Sequence, residues 1–151
     1  MSEIVVGIVM GSASDGPKME RVTEILSELE IGCETNVMSA HRNPEKVAEY
    51  ARTAADRGLK VLIAGAGLAA ALPGVLAAHT ILPVVGVPLA AGALNGLDAL
   101  YAIVQMPGGI PVATVGIDNA RNAAILAAEI LAVSDEEVRE RLYAMRRKMA
   151  G

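Results

Sequence analysis

The chain has no Phe and no Trp, and only three of its 151 residues are Tyr. A core without large rings must be filled by aliphatic side chains and Ala, whose small volume lets helices approach closely. The same scarcity leaves little with which to stack a flavin ring. Cysteine is equally scarce: Cys33 stands alone, so no intrachain disulfide can form, and the cytosol is the expected compartment. Two His and one Cys, widely separated, give no ligand-spaced cluster, so no metal is expected. Basic charge is not in excess either. The net charge is −4, and the one Lys/Arg run is Arg146-Arg147-Lys148, so nucleic acid is not an expected partner. Long apolar runs are missing, because Gly65, Gly67, Pro73 and Gly74 interrupt the most hydrophobic region, and no membrane-spanning helix is expected. The N-terminus enters a strand-like run without the charged and then apolar regions of a secretory leader.

What is present is 53% hydrophobic residues against 20% charged, a composition that excludes a disordered chain. The length suits one domain, read here as residues 1–151. A mean hydropathy of +0.44 is high for a soluble monomer of this size and points to subunit contacts.

Along the chain, short β-rich runs alternate with helical ones. Ile4 to Met10 is nearly continuous apolar sequence, the pattern of a central parallel strand buried on both faces. Met19, Val22, Ile25, Leu26 and Leu29 recur at helical spacing. A strand at 34–38 precedes a helix starting at Pro44. A third strand at 60–64 runs into a Gly65-Ala66-Gly67 turn and an Ala-rich helix started or interrupted by Pro73. Strands at 82–87 and 111–115 and helices at 97–104 and 119–132 follow. Ser134-Asp135-Glu136-Glu137 reads as a capping box for a last helix bearing Val138, Leu142, Met145 and Met149. The pattern is that of an α/β, flavodoxin-like three-layer sandwich with a five-stranded parallel sheet and a C-terminal helix.

In such sheets ligands bind beyond the carboxyl ends of the strands. There the chain places Gly11-Ser12-Ala13-Ser14-Asp15, Ser39-Ala40-His41-Arg42 and Gly65-Ala66-Gly67. The first segment either cradles an anion or ribose at a helix start or is an ordinary cap. Gly65 to Ala70 fits a dinucleotide pattern, but the next strand ends Val85-Gly86-Val87-Pro88 without the acid that holds a ribose. His41 is the sharpest residue. An imidazole exchanges protons near neutral pH, and the neighbouring Arg42 offers paired donors to phosphate or carboxylate; the alternative is that His41 caps the second helix. His79 reads as structural. Asp98 and Asp118 lie in or beside loops without identifiable partners, and Gln105 precedes a Pro/Gly turn that is either a ligand lip or a connection.

Met10-Gly11-Ser12-Ala13-Ser14-Asp15, Ser39-Ala40-His41-Arg42-Asn43-Pro44, Ala64-Gly65-Ala66-Gly67, Leu72-Pro73-Gly74 and Gln105-Met106-Pro107 resemble the N5-carboxyaminoimidazole ribonucleotide mutase family, in its order and spacing and over nearly the whole chain. The resemblance implies an octamer of flavodoxin-like subunits working without a cofactor on a ribonucleotide and CO2. It implies that Asp15 holds ribose hydroxyls, that Ser12 and Arg42 serve the phosphate, that Ser39, Gly65, Ala66, Gly67 and Leu72 line the pocket, and that His41 is the general acid and base. The chain departs from the family pattern in carrying Gly16 for Trp, Asn43 for Thr and Ala71 for a second His. Direct carboxylation of aminoimidazole ribonucleotide by CO2 stays open beside the mutase reaction, as does, from another class, a non-catalytic flavodoxin-like nucleotide-binding module.

Overall fold

Five parallel strands stand in the order β2-β1-β3-β4-β5 in the computed structural model, which describes residues 3–151. Met1 and Ser2, the start of the expected 1–151 unit, lie outside the described residues. The strands are β1 (Ile4–Met10), β2 (Gly32–Val37), β3 (Val61–Ala66), β4 (Val84–Pro88) and β5 (Ala113–Thr114). The helices are α1 (Gly16–Glu28), α2 (Pro44–Ala54), α3 (Leu72–Ala78), α4 (Leu97–Val104), α5 (Ala120–Ala132) and α6 (Glu136–Ala150). The flavodoxin-like α/β sandwich is thus the architecture found.

Strand alternation divides the interior into two cores. Val6, Ile8 and Met10 of β1, with Val61, Ile63, Val85 and Val87, pack against α1, α5 and α6. Val9, Leu62, Ala64 and Val84 face the other way, onto α2, α3 and α4. Ala123, Ala124, Ala127 and Ala128 of α5 are fully buried, so the Ala-rich composition becomes a smooth ridge that seats this helix against the sheet.

Several boundaries differ from the sequence expectation. β3 continues through Gly65 and Ala66, so these two residues are strand and the turn begins at Gly67. Residues 69–71 are not helical; α3 starts at Leu72, and Pro73 sits in its first turn, where a missing N–H costs nothing. β2 begins at Gly32 and ends at Val37, β4 spans Val84–Pro88, and β5 pairs over two residues only. The cap of α6 is Asp135 rather than Ser134: its Oδ1 accepts from Glu137 N at 3.1 Å and Val138 N at 3.2 Å.

Within β2, Glu34 accepts the Tyr50 hydroxyl at 2.7 Å and both terminal nitrogens of Arg57, whose guanidinium lies 5.1 Å from the Tyr50 ring centroid. The Arg57 bonds hold the Glu34 carboxyl below its ordinary range against the opposing effect of burial. A carboxyl lowered on folding contributes stability above its unfolded pKa and loses it as pH falls through the folded value. Tyr50→Phe should therefore cost about 1–2 kcal/mol in urea titration at neutral pH, and the deficit should shrink once acid protonates Glu34. Gly16, at the first position of α1, has φ −51° and ψ −50° and is followed by Pro17, whose ring crowds a Cβ on a preceding residue in the right-handed helical region. Gly16→Ala should therefore destabilise the fold, by about 1 kcal/mol in the same titration.

Candidate active site

Strand order reverses between β1 and β3, and the loops after these two strands open the crevice into which a ligand can enter. With the β2–α2 loop they enclose a cleft of about 310 Å³. Ser12, Asp15, Ser39, His41, Arg42, Ala66, Gly67 and Leu72 all line it. Gly65 does not. It lies inside β3 beneath Met19, whose sulfur an added Cβ would strike, so this glycine serves helix packing.

The β1–α1 segment makes one short 3₁₀ turn, Ala13–Asp15, before α1. Ser12 caps that turn, its Oγ accepting from Ser14 N at 3.3 Å and lying 2.9 Å from Ser14 Oγ. Asp15 occupies the N-cap position of α1, yet its side chain makes no capping bond. Its carboxylate is left for the cleft. Partial burial raises the Asp15 pKa, and a backbone hydrogen bond from Ser12 and the charge of Lys18 offset part of that rise.

Ser39 works on the backbone. Its Oγ accepts from His41 N at 3.2 Å and Arg42 N at 3.1 Å, while Asn43 ties back through Asn43 N to Ser39 O at 2.8 Å and Ser39 N to Asn43 Oδ1 at 3.3 Å. This turn presents His41 and Arg42 together. The N-cap of α2 is Asn43, so His41 is not the cap, and neither the imidazole nor the Arg42 guanidinium makes a hydrogen bond or ion pair among the described residues. Both are available to a ligand.

The facing wall is the β3–α3 loop, and it is aliphatic: Leu68, Ala69 and Ala71 line it without a titratable group. Ala69 is held at φ +44°, a left-handed conformation that L residues with a Cβ rarely adopt, and its carbonyl accepts from Ala71 N at 2.6 Å. Gly67 lets this loop pass the next one, since an added Cβ would stand 3.2 Å from Ala91 Cβ.

Four residues singled out from sequence lie elsewhere. Gln105 caps the C-terminus of α4, is exposed and is not in the cleft; His79 ends α3. Asp98 sits in the first turn of α4 with Oδ1 buried and without a hydrogen-bond partner. Asp118, for which sequence offered no partner, has one in Lys18, whose Nζ donates to its two carboxylate oxygens at 3.0 and 3.1 Å. One hundred positions separate the two, and no local pattern announces the pair. Among the described residues, no three His, Cys, Asp or Glu side chains meet to hold a metal ion, and no helix is long and apolar enough to cross a membrane.

Comparison with known proteins places this cleft in a chemical setting. Residues 5–151 match the family model described as AIR carboxylase. The chain is 59% identical over 144 residues to the N5-carboxyaminoimidazole ribonucleotide mutase of Pyrococcus abyssi, covering 95% of this chain and 83% of that one. It is 58% identical over 128 residues to the phosphoribosylaminoimidazole carboxylase of Schizosaccharomyces pombe, covering 85% of this chain and 23% of that one. The crystal structure of Treponema denticola PurE superposes with a TM-score of 0.88 at 29% identity, covering 98% of this chain and 92% of that one.

Proposed function

The chain belongs to the AIR carboxylase family, and on that premise we propose that it is one catalytic domain, an N5-carboxyaminoimidazole ribonucleotide mutase of purine biosynthesis. The observation that carries the reading is the cleft at the β1/β3 reversal, where Asp15 gathers with His41 and Arg42, whose side chains make no hydrogen bond or ion pair among the described residues.

The residue roles are those that the family resemblance implies, and the chemistry of each side chain suits them. The Asp15 carboxylate accepts ribose hydroxyls, and the Arg42 guanidinium with the Ser12 hydroxyl receives the phosphate through charge-assisted bonds. Ser39 holds the turn that aims His41. The N–carboxylate bond breaks, its electron pair stays on the exocyclic nitrogen, and His41 supplies the proton that makes the amine. Ring carbon C4 then attacks the released CO2, and His41 removes the C4 proton, returning to its starting state. Atoms and charge balance without a cofactor or metal. The aliphatic wall of Leu68, Ala69 and Ala71 offers CO2 no competing donor and keeps it beside the ring, so recapture is an intramolecular event.

Direct carboxylation is the second reading, favoured by the Schizosaccharomyces pombe relative's name and by Ala71 where the mutase pattern has His. An ATP-free assay decides between them. Fed N5-carboxyaminoimidazole ribonucleotide, the protein should form the C4-carboxylated product; conversion only of aminoimidazole ribonucleotide with bicarbonate would replace the mutase by the carboxylase, and conversion of neither would overturn both. Cytoplasmic operation and a homo-octamer complete the proposal. Exposed Leu94, Leu97, Tyr101 and Val104 on and before α4 support assembly, and light scattering should give eight chain masses.

A further inference from the structure

We propose that Lys18 and Asp118 are positioning residues that clamp the β4–α4 loop as a wall of the substrate cleft, an inference that rests on the cleft being the nucleotide site. Lys18, in the first turn of α1, donates from Nζ to Ala90 O at 3.0 Å as well as to Asp118. Asp118 Oδ1 accepts Ala90 N at 2.9 Å, and Asp118 N donates to Pro88 O at 2.8 Å. Both backbone polar groups of Ala90 are therefore held by this one pair. The start of α1 and two loops, those after β4 and β5, meet at a single ammonium group. Asp118 adopts φ +60° to do so, a conformation that Asp tolerates better than most residues.

The next residue, Ala91, lines the cleft and stands against Gly67. Moving the Ala90 peptide therefore moves the cleft wall. Lys18 is 43% exposed and Asp118 38%, so the pair contributes little to global stability and its effect is local geometry. The pair also bears on Asp15, whose ionisation the Lys18 charge favours. The other titratable or charged side chains lining the cleft are His41 and Arg42 of the β2–α2 loop; the β3–α3 loop brings none, and Asp118 is paired with Lys18.

Two substitutions separate the clamp from generic packing. Lys18→Met should leave the melting temperature nearly unchanged, speed amide exchange in residues 89–97, and raise KM roughly tenfold with kcat within about twofold, the signature of lost substrate binding. The acidic limb of kcat/KM should move to higher pH as Asp15 loses its neighbouring cation. Asp118→Asn should loosen the same loop and raise KM without that upward move, because it deletes an anion and keeps the cation. Lys18→Arg should restore both readouts. Unchanged exchange at 89–97 in Lys18→Met and Asp118→Asn overturns the clamp, as does a fall in kcat at constant KM. Exchange needs no substrate, so it decides the clamp even if the wild-type protein converts neither nucleotide, a result that would instead remove the proposed function.

Discussion

Replacing His41 by Asn should lower turnover by roughly 10²–10⁴-fold, the span of a positioned acid and base, while nucleotide affinity stays within about twofold. Among the ionisable groups of the cleft, Arg42 is permanently protonated and Asp15 is assigned to the ribose, which leaves one group able both to give and to take a proton. The opposite wall offers no substitute, since Ala71 stands where the family pattern has a second His. His41 is exposed and its imidazole supports no part of the fold, so the variant should melt as the wild type does. Single-turnover rates beside calorimetric binding separate the two effects. Retained turnover would remove the imidazole from the mechanism.

Asp15→Asn should act in opposite directions on binding and on stability. Two hydrogen bonds from ribose hydroxyls to a carboxylate are stronger than the same bonds to an amide, and losing that charge should weaken nucleotide binding roughly 10–100-fold. In the empty enzyme the charge is a burden. Burial holds the Asp15 pKa above its ordinary value, so the folded protein binds its proton more tightly than the unfolded chain does. The resulting penalty is absent below the unfolded pKa, where both states are protonated, and is complete above the folded value. The variant should therefore melt at a higher temperature than the wild type near pH 7 and lose that advantage near pH 3. Thermal melts at the two values test the sign, and a lower melting point at neutral pH would show that the carboxylate stabilises the empty site.

The central sheet was legible because burial on both faces writes itself as nearly continuous aliphatic sequence, broken only by a glycine, as at Ile4 to Met10 and Val84 to Val87. The glycines misled. Gly65 resembles a turn residue, but it remains in β3 to make room for Met19, a neighbour 46 positions away in the chain that no local rule supplies. Pro111 and the preceding glycines let only Ala113 and Thr114 pair out of the five-residue strand expected at 111–115. The α6 cap shifted by one residue because Ser134 and Asp135 are both competent acceptors and local backbone geometry chooses between them. At the site, His41, Arg42 and Asp15 could be found because strand-to-helix loops are marked by Ser, Gly and Pro. What Ser39 does was hidden, since lining a pocket and bracing a turn require the same hydroxyl. The Lys18–Asp118 contact could not be read at all, being made by tertiary folding between the start of α1 and the loop after β5, one hundred positions apart.

The brevity of β5 has a consequence for how these molecules can meet. The outermost strands of a sheet carry unpaired peptide groups that invite a strand from another chain, the route to edge-to-edge growth and fibrils. At one margin this protein offers only Ala113 and Thr114, too short a template for a stable added ladder. At the other, β2 presents Glu34, Thr35 and Asn36 in place of the continuous aliphatic run of the central strands. Both margins are thus poor docking strips. Ordered association is directed to helical surfaces, where side-chain shape selects the partner, and an aliphatic-rich chain gains protection from indiscriminate β stacking.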